Sequence, residues 1–220
     1  MVFVTDFDGT VTDDDFFQYT KEAYFDEASL APWFEYTAGK ITHFEALRRM
    51  YSTLRINEAE LVRMINLIHV DKWVTAVFHI LKSNGIPIYI ASAGCDFYIN
   101  ILFGQVLKEF GVTLITNPST YDETSGLTMS LPPNDYVYFD PAVGINKAKI
   151  VTSLQAAGKK VIFAGDGPPD IDAARVADVV FAKKTLIELC EAEGLEHFKL
   201  NSYHDIYQYL KKGKTNGTTY

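Results

Sequence analysis

The chain has 220 residues, of which 48% are apolar and 22% charged, with a net charge of −8. That length fits one large domain or a core with an insert, and that composition excludes a disordered chain. The acidic balance excludes a nucleic-acid partner or an anionic membrane surface, both of which call for a basic footprint.

Val2–Thr5 is an apolar run too short for a helix, and it reads as a buried strand ending at Asp6. A carboxylate this early interrupts the apolar length that a signal peptide needs, and no apolar run is long enough to span a bilayer. A cytoplasmic protein without a membrane partner is expected. Residues 13–70 show no convincing strand. Thr42 is positioned to cap a helix carrying Phe44, Leu47, Met50 and Leu54 at helical spacing, and Asn57 with Glu60 reads as a capping box for the next helix. A strand-to-strand crossover needs far fewer residues, so the surplus predicts a helical cap module standing over the strand ends and opening and closing there. Its many aromatic residues, Phe16, Phe17, Tyr19, Tyr24, Phe25, Trp33, Phe34 and Tyr36, are expected to form mainly its own core, with one or two left to line a pocket.

A helix over residues 71–84 returns the chain to strands at 86–91 and 112–115. Residues 116–144 are irregular, with Gly126 between two segments able to pair as a hairpin and with Pro132-Pro133 and Asp140-Pro141 marking loops. Strands follow at 160–164 and Val179–Ala182, and a polar tail at 211–220 is expected to fray. Alternating strands and helices predict an α/β fold: a Rossmann-like, doubly wound parallel sheet formed by residues 1–12 and 71–220, with the helical cap module at 13–70. Cys95 and Cys190 lie far apart and outside any CxxC pair, which excludes a zinc ribbon or redox pair, and the five histidines show no ligand spacing and read as structural.

In such sheets, ligands bind beyond the carboxyl ends of the strands. The first strand ends in Asp6-Phe7-Asp8-Gly9-Thr10, the second in Ser92-Ala93-Gly94, and the fourth in Gly165-Asp166-Gly167-Pro168-Pro169-Asp170. Lys147 opens the helix feeding the fourth. Four carboxylates gathered at one edge repel one another unless a cation joins them. Magnesium, a hard cation that takes oxygen ligands, resolves the repulsion and with Lys147 makes the edge receptive to a phosphate dianion.

Asp6-Phe7-Asp8-Gly9-Thr10-Val11-Thr12 resembles the DxDGTxT motif of the haloacid dehalogenase superfamily phosphatases. Ser92, Lys147 and the Asp166 to Asp170 GDxxxD spacing match its other three motifs in order. The segment Thr116-Asn117-Pro118-Ser119, with Tyr121-Asp122 and Gly126-Leu127, is similar to the phosphoethanolamine/phosphocholine and methionine-salvage phosphatases, and Ser92 to Phe97 with Arg49-Met50 to these and the phosphoserine phosphatases. Those groups can carry a cysteine cluster after the hairpin, whereas residues 132–145 here have none, so no structural zinc is expected.

The resemblance implies a Mg2+-dependent phosphomonoesterase acting on a small phosphorylated metabolite. In it Asp6 is the nucleophile and Asp8 the acid and base. Asp6, the Asp8 carbonyl and Asp166 hold the metal, with Asp170 ligating it or orienting its waters. Gly9, Ser92, Ala93 and Lys147 bind the phosphoryl group. A phosphotransferase or mutase on the same site, and an idle binding protein of the same fold, are the alternatives; the intact Asp6, Asp8, Lys147 and Asp166 argue against the second.

Several of these residues have a plainer reading. Asp170 would cap the helix Ile171–Val176, and Ser92 would be a turn residue; the motif spacing favours function for both. Lys147 is preferred to Lys149 because Asn146 is a plausible N-cap, which places Lys147 in the first turn. Asp13, Asp14 and Asp15 read first as a helix N-terminus, with Asp15 alternatively receiving a cationic substrate group. Of Arg48 and Arg49, one snorkels from the cap and the other, taken as Arg49, reaches an anionic substrate group.

Overall fold

The computed structural model of the chain describes residues 1–215. Six parallel strands form the sheet: β1 (Val2–Thr5), β2 (Ile88–Cys95), β3 (Thr113–Asn117), β8 (Val161–Gly165), β9 (Val179–Ala182) and β10 (Phe198–Lys199). Their order is β10-β9-β8-β1-β2-β3. From β1 the chain builds outward through β2 and β3, and from β8 outward through β9 and β10 on the other side. The crevice between β1 and β8 is therefore the point where the winding reverses, the place where α/β sheets bind ligands. β1 pairs with β8 through Val2–Val161 to Thr5–Ala164 and with β2 through Phe3–Ile88 to Thr5–Ile90.

The side-chain period of two explains why β1 is buried throughout. Val2 and Val4 join a cluster with Phe163, Ile150 and Leu186 on one face, while Phe3 joins Ile162, Phe78 and Tyr203 on the other. Helices cover both faces, as a parallel sheet requires. α5 (Val74–Ser83), α6 (Asp96–Phe110) and α10 (Tyr203–Thr215) belong to the second cluster; α7 (Lys147–Ala156), α8 (Ile171–Val176) and α9 (Lys184–Glu193) belong to the first. Asp71 does not begin α5: its Oδ1 accepts from Trp73 N–H at 2.8 Å and its Oδ2 from Tyr203 N–H at 2.7 Å, tying α10 to the start of α5. The expected fraying at 211–220 is corrected in part, because α10 continues to Thr215; the rest of that stretch lies outside the described residues.

Residues 13–70 contain α1 (Phe16–Tyr24), α2 (Glu27–Thr37), α3 (His43–Tyr51) and α4 (Glu58–Ile65) and no strand. Thr42 caps α3, its Oγ1 accepting from Glu45 N–H at 3.2 Å. Asn57 caps α4 through Ala59 N–H, but the expected box with Glu60 does not form, because Glu60 instead accepts from Tyr24 Oη at 3.1 Å. At the two ends of the segment, Thr12 and Val70 bridge antiparallel, with Asp13 N–H bonded to His69 O and Asp71 N–H to Val11 O.

The hairpin signalled by Gly126 is β4 (Ser119–Asp122) against β5 (Gly126–Met129), and a two-residue pair, β6 (Phe139–Asp140) with β7 (Gly144–Ile145), breaks the loop after it. The hairpin clasps the end of α3 and the start of α4. Tyr121 Oη bonds the backbone of Ile56, and Glu123 accepts from Glu58 N–H at 2.9 Å. The Phe16, Leu47, Tyr51, Leu61 and Ile65 side chains share one hydrophobic cluster with the sheet rather than forming a separate core. α2 alone among these four helices buries no residue, and Phe34, expected in the interior, is 60% exposed.

Candidate active site

Asp6 stands one residue beyond β1, flanked by β2, which carries Ser92, and β8, which leads into Asp166. β2 runs further than expected, to Cys95, with an irregularity in its pairing after Ala91, so Ser92, Ala93 and Gly94 lie inside the strand rather than beyond it. Lys147 is the first residue of α7, whose N-cap Asn146 accepts from Lys149 N–H at 3.0 Å. That cap turns Lys147 inward and leaves Lys149 outside, bonded to Phe139 O.

The buried Lys147 ammonium lies 2.8 Å from Asp6 Oδ1 and 2.5 Å from Asp170 Oδ1. Asp170 is fully buried, and its Oδ2 accepts from the N–H groups of Asp166 and Gly167 at 2.9 and 3.1 Å. It thus shapes the loop before α8 and faces the cluster, but its side chain makes no capping hydrogen bond to α8. Carboxylate oxygens of Asp6, Asp166 and Asp170 lie within 4.8 Å of one another. Burial pushes the Asp6 carboxyl well above its ordinary range; Lys147 opposes this, and the charges of Asp170 and Asp166 add to it. Burial, with Asp170 beside it, pushes Asp166 up to about 6. Burial would lower the Lys147 ammonium, but Asp170 and Asp6 outweigh it, so its proton is held more tightly than usual. Three carboxylates with one buried ammonium among them form an all-oxygen donor set short of positive charge, and such a set fits Mg2+.

The Asp8 side chain turns away from that set. Its Oδ1 accepts from Phe16 N–H at 3.1 Å, and its Oδ2 from Tyr98 Oη and, at 3.3 Å, from Ser92 Oγ. Burial raises it from 3.8 to about 6, against the Tyr98 and Phe16 hydrogen bonds. The Asp8 side chain is therefore not part of the acidic set formed by Asp6, Asp166 and Asp170. Tyr98 carries no motif signal. It is fully buried in α6, stacked on Phe16 with ring centroids 4.3 Å apart, and a Cβ on Gly94 would come within 2.0 Å of its hydroxyl. The requirement for a small residue at Gly94, four positions ahead, is the trace it leaves in the sequence.

Gly9 has φ +73°, and a Cβ there would meet Asp166 Oδ2 at 2.1 Å, so only glycine lets the two loops touch. Its own N–H is given to Thr12 Oγ1 at 3.1 Å, so the backbone N–H groups expected to face phosphate here are its neighbours'. Among the described residues, the N–H groups of Phe7 and Asp8 are the ones in this turn without an acceptor.

Above these groups lies a cavity of about 640 Å³. Its floor is Asp6, Asp8, Ser92, Ala93, Lys147 and Asp166, and its far walls are Phe17, Trp33, Tyr36, Leu47 and Tyr51 from the cap helices. Asp15 reaches it while also serving as N-cap of α1 by accepting from Gln18 N–H at 2.6 Å. Arg49 does not. It is on the outer face of α3, held by Glu45 at 2.6 Å and Glu35 at 3.2 Å, so the expected contact with an anionic substrate group is corrected. Arg48 is likewise paired with Glu45. Lys184 at the rim donates to Asp13 O at 2.7 Å and lies 3.5 Å from Asp166. His43, read as structural, lines the cavity.

A parallel α/β sheet with these carboxylates and a lysine at its winding reversal defines a phosphohydrolase. The haloacid dehalogenase-like hydrolase family matches residues 3–175, and the chain belongs to that family. It is similar to the 2-hydroxy-3-keto-5-methylthiopentenyl-1-phosphate phosphatase of Bacillus velezensis, with 28% identity over 92% of this chain and 86% of the relative. It is equally similar, at 28%, to the enzyme of the same name from an Exiguobacterium strain, over 94% of this chain and 96% of that one. Among solved structures, a substrate-bound phosphoserine phosphatase superposes with a TM-score of 0.67 at 17% identity, covering 94% of this chain and 97% of that one. A phospho-aspartyl intermediate analogue of phosphoserine phosphatase gives 0.66 at 18%, with the same coverage. These structures share the fold, and the chain is a phosphatase of the family.

Proposed function

We propose that the chain is a Mg2+-dependent phosphomonoesterase that removes phosphate from a small metabolite ester through an aspartyl-phosphate on Asp6. The observation that carries this reading is the Asp6 carboxylate on the cavity floor, between Lys147 and the Asp166–Asp170 pair, with a separate carboxyl of pKa about 6, Asp8, beside it. Asp6 attacks phosphorus, and the ester P–O bond breaks as Asp8 gives its proton to the leaving oxygen. A water then attacks the aspartyl-phosphate, its proton passing to Asp8, and phosphate leaves with Asp6 regenerated. Bound Mg2+ supplies charge neutralisation for the phosphoryl oxygens. Lys147 holds Asp6 in place, and Ser92 and the free N–H groups of Phe7 and Asp8 are the donors offered to the phosphoryl group.

The cap walls support a substrate whose leaving group has no carboxylate. Among the described residues, no arginine reaches the cavity, and its two lysines, Lys147 and Lys184, already face aspartates. The two bacterial relatives are named for an ester whose chain carries hydroxyl, keto and methylthio groups, which suits such walls. We divide the chain into a core of residues 1–12 and 71–220 and a cap of 13–70. Gating is assigned to α2, since α3 and α4 are fastened to the hairpin and the shared hydrophobic cluster. Among the described residues, no helix is long and apolar enough to cross a membrane, and we place the enzyme in the cytoplasm.

Phosphate release with Mg2+ across a panel tests the reading: phosphoserine, phosphocholine, phosphoethanolamine, sugar phosphates, nucleotides and 2-hydroxy-3-keto-5-methylthiopentenyl-1-phosphate. Turnover without an added acceptor, best on esters lacking a carboxylate, is expected. Release from none of them, or only in the presence of an alcohol acceptor, overturns it. A preference for phosphoethanolamine or phosphocholine would instead assign Asp15 to a cation.

A further inference from the structure

His43 opens α3, directly after the N-cap Thr42. The next residue ties this point to the core, Phe44 N–H donating to Ala142 O at 3.0 Å. The imidazole packs edge-on to Tyr36 and Trp33, with centroids 5.2 and 6.1 Å away, and lines both the main cavity and an adjoining recess of about 250 Å³ beside Lys147. Its Nδ1 is covered and has no hydrogen-bond partner. Nε2 has no partner among the described residues either, but it is not sealed in.

A polar group kept inside an aromatic wall with no partner is costly, and leucine or phenylalanine would fill the same place without that cost. Burial, reinforced by the charge of Lys147, pushes the imidazole down to about 4, so it is neutral near pH 7 and carries one N–H. An orphaned buried lone pair costs less than an orphaned buried N–H, which places the proton on Nε2, the ring nitrogen that is not covered. A neutral ring is a poor partner for a phosphate dianion, and the floor already supplies Ser92 and backbone N–H groups for that purpose. What the wall lacks is an acceptor for one neutral donor, and pockets of this kind fix ligand orientation through a few such groups among apolar walls.

We infer that His43 is a specificity-determining residue whose Nε2–H hydrogen-bonds an uncharged oxygen, carbonyl or hydroxyl, on the carbon chain of the leaving group. This rests on the phosphatase reading and names one chemical feature that the substrate must carry beyond its ester oxygen.

The test compares pentyl phosphate with 2-oxopentyl, 3-oxopentyl and 4-oxopentyl phosphate in the Mg2+-loaded enzyme. The reported quantity is the kcat/KM ratio of each oxo ester to pentyl phosphate in wild type, divided by the same ratio in His43→Phe; intrinsic reactivity of the esters cancels. A quotient of about ten or more for at least one oxo ester is expected, with His43→Gln, which keeps an N–H, recovering part of it. A second measurement needs no variant. In wild-type enzyme saturated with the corresponding phosphonates, the His43 Nε2 resonance should shift with an oxopentyl phosphonate and not with pentyl phosphonate. Quotients near one for all three esters, or a resonance indifferent to the oxo group, overturn the role of His43 while the phosphatase reading stands. Best turnover on phosphoserine overturns both this inference and the uncharged leaving group, and no phosphate release from any ester overturns the phosphatase reading itself.

Discussion

Replacing Asp8 with asparagine should slow turnover by orders of magnitude and make the protein more stable. The side chain receives three hydrogen bonds, from Phe16 N–H, Tyr98 Oη and Ser92 Oγ, yet burial still raises its pKa from 3.8 to about 6. The folded chain therefore binds this proton more tightly than the unfolded chain. The stability it contributes is complete below about pH 4 and is lost as the pH rises through about 6. At about pH 8 the ionised carboxylate costs the fold on the order of 3 kcal/mol, from roughly two units at 1.36 kcal/mol each. Asparagine has nearly the same shape and never ionises, so Asp8→Asn escapes that cost. The variant should exceed wild type by about 3 kcal/mol at about pH 8, by about half of that near pH 5, and by nothing below about pH 4. In thermal unfolding the first figure corresponds to a Tm rise of roughly 6–12 °C for a chain of this size. Phosphate release should fall by a factor of about 10² to 10⁴, the usual contribution of a positioned proton donor. Paired urea titrations at pH 8 and pH 5, with phosphate release measured on the same preparations, provide the check. A variant no more stable than wild type at pH 8, or a difference that does not change with pH, would refute the claim that Asp8 is held at a thermodynamic cost for its chemistry.

Asp6→Asn should eliminate turnover with the fold intact by circular dichroism; activity within about tenfold of wild type would rule out a nucleophilic Asp6, since losing a nucleophile removes several kcal/mol of barrier lowering. Chelation should abolish phosphate release, with Mg2+ restoring it and Ca2+ failing to, because calcium prefers more ligands at longer distances; full activity in chelator contradicts the metal assignment. Lys147→Met leaves the Asp6 and Asp170 carboxylates buried without their shared cation and should destabilise the chelated protein by about 3–5 kcal/mol, with a larger Mg2+-induced rise in Tm than wild type shows. Arg49→Ala should leave the ranking of substrates unchanged and cost under about 1 kcal/mol in denaturation, because its partners Glu35 and Glu45 are on the surface; a changed ranking would return Arg49 to the substrate.

The floor of the site was legible because its residues are fixed by the ends of strands. A short apolar run must be β1, and whatever follows it lies at the sheet edge; the same holds for Asp166 after β8. Lys147 was reachable through one local rule, the N-cap at Asn146, which decides between two lysines a turn apart. The pairing of each group was not legible. The resemblance implies that backbone N–H groups near Gly9 meet phosphate, but not which of them are free: Thr12 Oγ1, three residues on, takes the Gly9 N–H, and that choice depends on a turn whose geometry no pattern encodes. Tyr98 escaped for a different reason. Its hydroxyl reaches Asp8 across 90 residues of sequence, and the one nearby trace, the small residue at Gly94, does not say what the hydroxyl contacts. β10 was missed because two residues, Phe198 and Lys199, give no periodicity to read. The sequence predicts a cap module with its own core, whereas Phe16, Leu47, Tyr51 and Ile65 pack into the same cluster as Phe7, Phe78 and Phe103 from the core. A count of aromatic residues tells how much apolar surface must be covered, not which element covers it.

The walls of the cavity were the least readable part, yet α3 contains enough to correct the reading. Phe44, Leu47, Met50 and Tyr51 are buried, and they mark one stripe of the helix. At about 100° per residue, Arg49 is roughly 200° from Leu47 and falls on the opposite, solvent side, where Glu45 one turn back supplies its partner. His43 lies four residues before Leu47, on the stripe itself, with the cavity beyond it. The same arithmetic that turns the arginine away from the cavity therefore places the histidine at it. A charged residue on the stripe would have asked for a charged leaving group; a neutral imidazole held by burial and by Lys147 asks only for an oxygen. The floor, built from the family's motifs, determines that phosphate is removed. If His43 acts as inferred above, the histidine facing in, rather than the arginine facing out, selects what the phosphate is removed from.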